Sequence, residues 1–207
     1  TIVIMPPKTS VTKDRIVDGA IAVVRESGHA SLTARAVAGA LGCSTQPIYS
    51  VFGSIDTLFD ATVSRALEIA LAHRLPVPDP DSEFLGIGVV CLDFSRSEPN
   101  LFQLLMTNGR ERLSPSAPEW PFHRLTNQMR RDSVLTALSE DRLQRLLKNM
   151  FIYTHGLAAL APVSPTPEQL HEERVLLRDV GGRMIALAVM EARGEFDLEE
   201  AARRFHP

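Results

Sequence analysis

Residues 31–58, SLTARAVAGALGCSTQPIYSVFGSIDTL, predict two short helices joined by a tight turn at Gly42. Thr33 can cap the first helix, because its hydroxyl oxygen can accept a hydrogen bond from a free N–H of the first turn. Ser44 is predicted to start the second helix in the same way. Pro47 is tolerated because it falls in the first turn of that helix, where its missing N–H would have had no intrahelical partner. This pattern is typical of a helix-turn-helix.

The residues of the two helices divide into a buried and an outward face. Apolar residues recur at the spacing of one buried face, and they are Ala36, Val37, Ala40, Leu41, Ile48 and Phe52. The outward side chains of the second helix are short or planar hydrogen-bonding groups, which suit base edges and phosphates in a major groove. The candidate DNA-binding residues are Thr33, Ser44, Thr45, Gln46, Pro47, Tyr49 and Ser50, with Lys13 and Arg35 on the phosphate backbone.

A preceding helix at residues 14–26 completes a three-helix unit, because its apolar residues follow helical spacing and Gly28 ends it. With this helix, residues 31–58 resemble the DNA-binding domain of the TetR family of one-component transcriptional repressors. Two positions depart from the family pattern. Val51 stands where the family often has His, and Ile55 replaces a Lys expected near the DNA backbone, which implies one phosphate contact fewer. The residues that carry the resemblance are Thr33, Val37, Ala38, Gly42, Ser44, Tyr49, Phe52, Ser54 and Leu58.

The charge of the chain is unevenly divided. The 207 residues carry a formal net charge of −3, yet residues 1–58 hold five Lys or Arg against four Asp or Glu, which gives +1. The acidic excess therefore lies in residues 59–207. Because +1 attracts phosphates weakly, we expect modest, dimer-dependent DNA binding. The basic residues expected to neutralise phosphates are Lys8, Lys13, Arg15 and Arg35.

Beyond residue 55 the sequence predicts further helices and no strand of useful length. A helix at 56–74 is apolar on more than one side, as a connecting helix would be, and three prolines at 76, 78 and 80 then enforce a linker. The other predicted helices lie at 82–96, 99–107, 119–138, 140–161 and 168–192, with a short tail at 198–205. The predicted fold class is all-α. An N-terminal arm and DNA-binding domain occupies residues 1–55, and a helical regulatory and dimerisation domain occupies residues 56–207.

Two of these helices carry apolar stripes that point to a subunit interface. The stripe at 140–161 is broader than one core contact needs. The stripe at 168–192 is interrupted by Gly181 and Gly182, each of which costs about 1 kcal/mol of helix propensity unless a close backbone approach offsets it. Both stripes could equally close the protomer's own core, with a kink at Gly181. The TetR resemblance implies a homodimer, because the last two long helices of each subunit form a four-helix interface in that family.

The second domain also carries features of a small-molecule site. Residues 153–158 (YTHGLA) and 94–102 (FSRSEPNLF) resemble stretches in the regulatory domains of some TetR-like proteins. Large apolar residues on several helices exceed the needs of one small core, which predicts a cavity for a hydrophobic or amphipathic effector. For each of these residues, packing in the core is the competing interpretation. The candidate ligand-binding residues are Phe94, Leu101, Leu105, Trp120, Phe122, Met129, Phe151 and His155, with Asn108, Gln128 and Tyr153 as further polar anchors.

No pattern in the sequence assembles an enzyme, a metal site or a cofactor site. The six histidines pair with no cysteine or carboxylate at metal or triad spacing, and there is no Gly-rich phosphate loop. Cys43 and Cys91 lie far apart, which favours reduced packing residues in a cytoplasmic protein. No apolar run approaches the roughly 20 residues that span a bilayer. The chain begins TIVIMPP, with no signal architecture, and Met5 is the candidate native start.

These features predict a cytoplasmic, homodimeric, ligand-responsive repressor on a pseudo-palindromic operator. The alternative is a small-molecule-binding helical protein whose helix-turn-helix no longer regulates DNA. An all-helical enzyme is the third possibility.

Overall fold

A computed structural model describes residues 11–73, 83–107, 125–127, 129–130, 132–162, 164–197, 200–201 and 203. These residues form helices and connecting turns, and none of them lies in a β-strand, which confirms the predicted all-α class. Short 3-10 helices lie at His29–Ser31 and Leu135–Ala137. The α-helices are α1 (Lys13–Ser27), α2 (Ala34–Leu41), α3 (Gln46–Phe52), α4 (Ile55–Ala72), α5 (Glu83–Ser97), α6 (Pro99–Thr107), α7 (Glu140–Leu160) and α8 (Pro167–Ala192).

Side-chain caps and glycines set the ends of the N-terminal helices. The Thr12 hydroxyl accepts a hydrogen bond from the Arg15 amide at 3.3 Å, and the Thr33 hydroxyl accepts one from the Ala36 amide at 3.1 Å. Both side chains satisfy amides that have no partner within their own helix. Gly42 ends α2 with φ 63° and ψ 33°, the left-handed conformation that glycine adopts without steric cost.

The first compact unit comprises the described parts of Thr1–Ala72 and Glu98–Ser114. Helix α1 lies at its centre and packs against α2, α4 and α6, while α3 contacts α1, α2 and α4. This unit therefore includes α4 and α6 and reaches beyond the predicted boundary at residue 55. The division into functional domains at 1–55 and 56–207 stays a prediction. The fully buried side chains of the unit include Ile16, Val24, Val37, Ile48, Leu58, Leu101 and Leu104.

The second compact unit comprises the described parts of His73–Ser97 and Pro115–Pro207. Helix α5 packs against α7 and α8, and α8 also packs against α7 and the 3-10 helix Leu135–Ala137. Helix α5 approaches α8 closely at Gly88, where the side chain of Leu177 fills the space that a Cβ atom would need. The buried apolar cluster of the unit contains Met129, Leu135, Leu138, Leu143, Leu146, Leu147, Met150 and Val189.

The predicted details of the helix-turn-helix are partly wrong. Helix α2 buries Ala34, Val37 and Ala38, whereas Ala36 is half-buried and Ala40 is exposed. Small residues at both sets of positions left the orientation of this short helix ambiguous in the sequence. Ser44 does not start α3. Thr45 occupies the N-cap position with helical backbone angles and no side-chain capping bond, because the capping geometry needs an extended residue.

Two further predictions fall partly on described residues. The predicted helix at 119–138 is wrong at its C-terminal end, where a turn and a 3-10 helix replace it. Asp132 Oδ1 accepts a hydrogen bond from the Val134 amide at 2.9 Å, and such a local bond competes with helical pairing. The described residues of the predicted tail helix at 198–205 are helical, and Asp197 Oδ1 accepts a hydrogen bond from the Glu200 amide at 3.0 Å. Among the described residues, no helix is long and apolar enough to cross a membrane.

Gly88 and Gly39 give opposite predictions for substitution by alanine. A Cβ atom at Gly88 would lie 2.8 Å and 3.0 Å from the two methyl carbons of buried Leu177, so we expect Gly88→Ala to lower the free energy of unfolding by about 1–3 kcal/mol. Gly39 lies on α2, where a Cβ atom would meet nothing within 4 Å, so Gly39→Ala should raise it by about 0.5–1 kcal/mol. Urea unfolding measures both changes. A stabilised Gly88→Ala variant would contradict the close packing of α5 on α8.

Candidate nucleic-acid interface and effector site

Helix α3 presents a polar outward face because two apolar side chains fix its inward face. Ile48 is fully buried and Phe52 is 7% exposed. With these two residues inward, helical geometry turns Gln46 and Ser50 toward solvent. Tyr49 is 49% exposed and flanks them. The face therefore offers amide and hydroxyl groups at the surface of a helix that is anchored to the core of the first unit.

The other candidate DNA-binding residues differ in their accessibility. Arg35 and Ser44 are exposed, whereas Thr45 and Pro47 are half-buried. Thr33 is exposed, but its hydroxyl oxygen already accepts the capping bond of α2. The Thr33 hydroxyl oxygen is thus used within the protein, while its O–H can still donate a hydrogen bond to a phosphate.

The positive charge of the described part of the first unit comes from a few side chains. Within the described part of the chain, Lys13, Arg15 and Arg35 have no ion-pair partner, whereas Arg25 pairs with Glu98, and Arg65 pairs with Asp18 and Glu68. Lys13 Nζ lies 5.9 Å from the centroid of the Phe52 ring, within the range of a cation–π contact. This contact places an ammonium group beside the C-terminal end of α3. Lys8 lies outside the described residues.

The contact between Lys13 and Phe52 was not predicted from the sequence. The two residues are far apart in the chain, and each belongs to a different helix of the first unit. A pattern within one helix carries no information about such a contact. The sequence signal was limited to an aromatic residue at the end of α3 and a lysine at the start of α1.

The predicted ligand-binding residues are divided between the two units. Leu101 and Leu105 lie in α6, in the core of the first unit, whereas Phe94 and Met129 are buried in the second. Phe151 and His155 are half-buried neighbours on α7. Within the second unit, the rings of Phe151 and His155 contact each other, with their centroids 3.7 Å apart. Trp120, Phe122, Asn108 and Gln128 lie outside the described residues.

His155 forms a polar contact between α7 and α5. Its Nδ1 lies 2.7 Å from the Phe151 carbonyl oxygen, which can only accept a hydrogen bond, so Nδ1 carries the proton in the neutral ring. Nε2 is then the acceptor, and the Cys91 thiol donates to it across 3.8 Å. Burial lowers the pKa of His155, an effect that the carbonyl bond partly offsets, and burial raises the pKa of Cys91 to about 12. The pair is therefore a neutral thiol and a neutral imidazole, suited to hydrogen bonding rather than to nucleophilic attack.

Tyr153 lies close to His155 in sequence but contacts a different helix. Its hydroxyl donates to the Leu176 carbonyl oxygen on α8 at 3.3 Å. Burial and the nearby Asp179 carboxylate raise the pKa of this phenol, so it stays protonated and remains a donor. Among the residues that the structure describes, no group of three His, Cys, Asp or Glu side chains could hold a metal ion.

The solved structures that share this fold include the following two. No protein-family model and no curated protein matches the sequence. A TetR-family member from Streptomyces coelicolor A3, SCO1917, is 22% identical and superposes with a TM-score of 0.52 over 81% of this chain and 96% of its own. The multidrug binding protein EbrR, in complex with imidazole, is 20% identical, with a TM-score of 0.53 over 87% of this chain and 97% of its own. The chain therefore has the TetR-type fold, which confirms the resemblance found in residues 14–58.

The lowered pKa of His155 predicts a pH dependence of stability. In the unfolded chain, His155 binds a proton with the ordinary histidine pKa of 6.5, whereas in the folded protein its pKa is lower. As the pH falls below 6.5, proton binding therefore favours the unfolded chain and lowers the free energy of unfolding. We expect the melting temperature of His155→Gln to decrease less than that of the parent protein when the pH is lowered from about 8 to about 5. His171→Gln is the matched control, because His171 is an exposed histidine on α8. Equal losses in all three proteins would contradict the assignment.

Proposed function

We propose that this protein is a DNA-binding transcriptional regulator that acts as a homodimeric repressor. The observation that carries the proposal is the outward face of α3, where Gln46, Tyr49 and Ser50 are exposed on a helix whose opposite side is anchored by Ile48 and Phe52. A helix that enters a major groove needs this combination of a rigid base and hydrogen-bonding groups at its front. The shared fold with a TetR-family member supports the same role.

Dimerisation is supported by exposed apolar side chains on α7 and α8. These are Ile152, Leu160, Val175, Leu176, Leu187 and Met190, with exposures of 37–86%. Gly156 and Gly182 lie on the same helices and have no neighbouring side chain in the protomer, since a Cβ atom at either would meet nothing within 4 Å. Gly181, the residue expected to mark the interface, is buried within the protomer. A second copy packed on α7 and α8 would remove this apolar surface from water. The dimer would carry two copies of α3, and on a pseudo-palindromic operator these would enter successive major grooves roughly 34–36 Å apart.

The proposed effector is a small hydrophobic or amphipathic molecule that binds the second unit. Phe151, with its ring centroid 3.7 Å from that of His155, offers an apolar surface beside the neutral Cys91–His155 pair. Such a combination of apolar walls and few polar groups is typical of ligand sites. EbrR, which shares the fold, is a multidrug binding protein, and this supports the same ligand class. Release from DNA requires that the effector bind the DNA-incompetent arrangement more tightly than the competent one.

The alternative is that the protein binds small molecules but no longer regulates DNA. The net charge of +1 over residues 1–58 and the half-buried Ile55 in place of a lysine favour it. Operator binding by the intact protein separates the two functions, because the alternative predicts no sequence-specific complex.

Removing the hydrogen-bonding groups of α3 should weaken operator binding without unfolding the protein. For Gln46→Ala or Tyr49→Ala we expect a loss of about 1–3 kcal/mol in binding to a duplex selected from genomic fragments, because each side chain would contact base edges or phosphates. Fluorescence anisotropy measures the affinity, and thermal unfolding should change little because both residues are exposed.

Gln103→Ala is the matched control for Gln46→Ala, since Gln103 is an exposed glutamine on α6 of the same unit. It should bind the duplex like the parent protein. Unchanged affinity in both α3 variants would contradict the proposed DNA face.

A charge on the exposed apolar face of α7 should prevent dimerisation. Ile152 is 56% exposed, so Ile152→Arg leaves the protomer core intact but would bury an unpaired charge in the proposed interface. We expect light scattering to show a monomer. Val134→Arg, at a residue that is 51% exposed outside α7 and α8, should remain a dimer. A dimeric Ile152→Arg variant would show that α7 is not the interface.

A further inference from the structure

The sequence RRDSV at residues 130–134 lies between two buried anchors of the second unit, and we call it the RRDSV segment. Met129 before it and Leu135 after it are fully buried in the apolar cluster of that unit. The residues of the segment that the structure describes as exposed are Arg130, Ser133 and Val134. Arg131 lies outside the described residues. The chain is therefore fixed on both sides of a stretch that presents polar and apolar side chains to solvent.

The charges of the RRDSV segment form a pattern that occurs once in the chain. Arginines stand two and three positions before Ser133, and the other serines and threonines of the chain lack this pair. Protein kinases select substrates partly by the charge pattern around the acceptor residue. A basophilic serine kinase binds arginines at these two positions with carboxylates, because a carboxylate and a guanidinium form paired hydrogen bonds. The pattern is that of a substrate for this class of kinase.

The hydroxyl group of Ser133 is exposed and is not used by the fold. Ser133 lies in a turn, and its backbone carbonyl oxygen accepts a hydrogen bond from the Thr136 hydroxyl at 2.8 Å. Within the part of the chain that the structure describes, the Ser133 hydroxyl itself has no hydrogen-bond partner. A phosphoryl group can therefore be added at this oxygen without breaking a structural contact.

Local backbone bonds hold the RRDSV segment in its turn. The Asp132 amide donates to the Met129 carbonyl oxygen at 3.1 Å, and Asp132 Oδ1 accepts from the Val134 amide at 2.9 Å. A kinase cleft binds its substrate in an extended form, so these bonds must open during the reaction. They join residues at most three positions apart at the surface, where water replaces them, and such local opening costs far less than global unfolding.

Val134 gives a second reason to look for a partner at this segment. Its side chain is 51% exposed, although valine is an apolar residue, and it directly follows Ser133. A basophilic kinase presents an apolar pocket to the residue after the acceptor, and binding there removes an exposed apolar side chain from water. The exposure of Val134 is a structural observation that is independent of the arginine pattern.

Arg130 is available to a partner because its ion pair lies at the surface. It pairs with Glu140, the first residue of α7, and the two side chains are 54% and 37% exposed. Exposed pairs of this kind contribute little to stability, since water solvates both charges well. A carboxylate of another protein can thus replace Glu140 at the Arg130 guanidinium.

We propose that Ser133 is a phosphorylation site for a basophilic serine kinase. Ser133 Oγ bonds to the γ-phosphorus of ATP while the bond from that phosphorus to the β,γ-bridging oxygen breaks. ADP leaves, and the hydroxyl proton passes to the catalytic aspartate of the kinase. The phosphate adds a charge of about −1.5 to −2 near Arg130 and competes with Glu140 for it. All these residues belong to the second unit, so the site is independent of DNA binding.

Phosphorylation of the full folded chain by the catalytic subunit of cyclic-AMP-dependent protein kinase tests the site. With MgATP, we expect mass spectrometry to locate the phosphate on Ser133, and Ser133→Ala should lower the initial rate by about tenfold or more. Ser139→Ala is the matched control, because Ser139 is also exposed and makes no side-chain capping bond, but lacks the two arginines. It should be phosphorylated like the parent protein.

Two further variants separate the arginine pattern from the ion pair. Glu140→Gln removes the partner of Arg130 and keeps the RRDSV segment, so it should be phosphorylated at least as fast as the parent protein. Arg130→Gln loses the same pair together with a kinase contact, so its rate should fall by about tenfold. Equal slowing of both variants would overturn the proposal. So would a folded protein that stays unmodified while a synthetic peptide of residues 126–138 is phosphorylated.

Discussion

The burial of one face of α1 is the constraint on which the candidate DNA face depends. Ile16, Ala20 and Val24 are fully buried, and α1 packs against α2, α4 and α6. Helix α3 has seven residues, too few for a stable isolated helix, so packing must hold it in place. Ile48 and Phe52 provide that packing. Because these two side chains point inward, Tyr49 and Ser50 between them face outward. The outward chemistry of α3 is thus fixed by the apolar core behind it.

Local chemical signals in the sequence predicted much of the fold. The cap at Thr33 and the glycine at residue 42 act within one helical turn, so they can be recognised without knowledge of the rest of the chain. Helix α6 begins at the predicted residue for the same reason, since a proline opens it. The start of α3 was misplaced because Ser44 and Thr45 are both capable of capping, and the backbone angles that decide between them depend on tertiary packing.

Contacts between side chains that lie far apart in the sequence were harder to predict. The Arg25–Glu98 pair spans 73 positions of the sequence, and the Arg96–Glu173 pair spans 77. Helical periodicity carries no information on partners at such separations. One signal was present in the sequence. Glu173 lies four residues before Leu177, on the buried face of α8, and a carboxylate at that position requires a buried cation on a neighbouring helix. The sequence could have indicated the need for a partner but not its identity.

In the proposed mode of action, the low net charge of the DNA-binding segment makes DNA binding depend on dimerisation. A DNA-binding segment with a net charge of +1 gains little from phosphate neutralisation, so one protomer alone would bind weakly. Joining two protomers makes the second half-site contact intramolecular, which raises affinity through effective concentration rather than through new contacts. Affinity that arises in this way is sensitive to the distance between the two copies of α3. In the proposed mode of action, a small change in that distance releases DNA, because both recognition helices must match the spacing of successive major grooves at the same time.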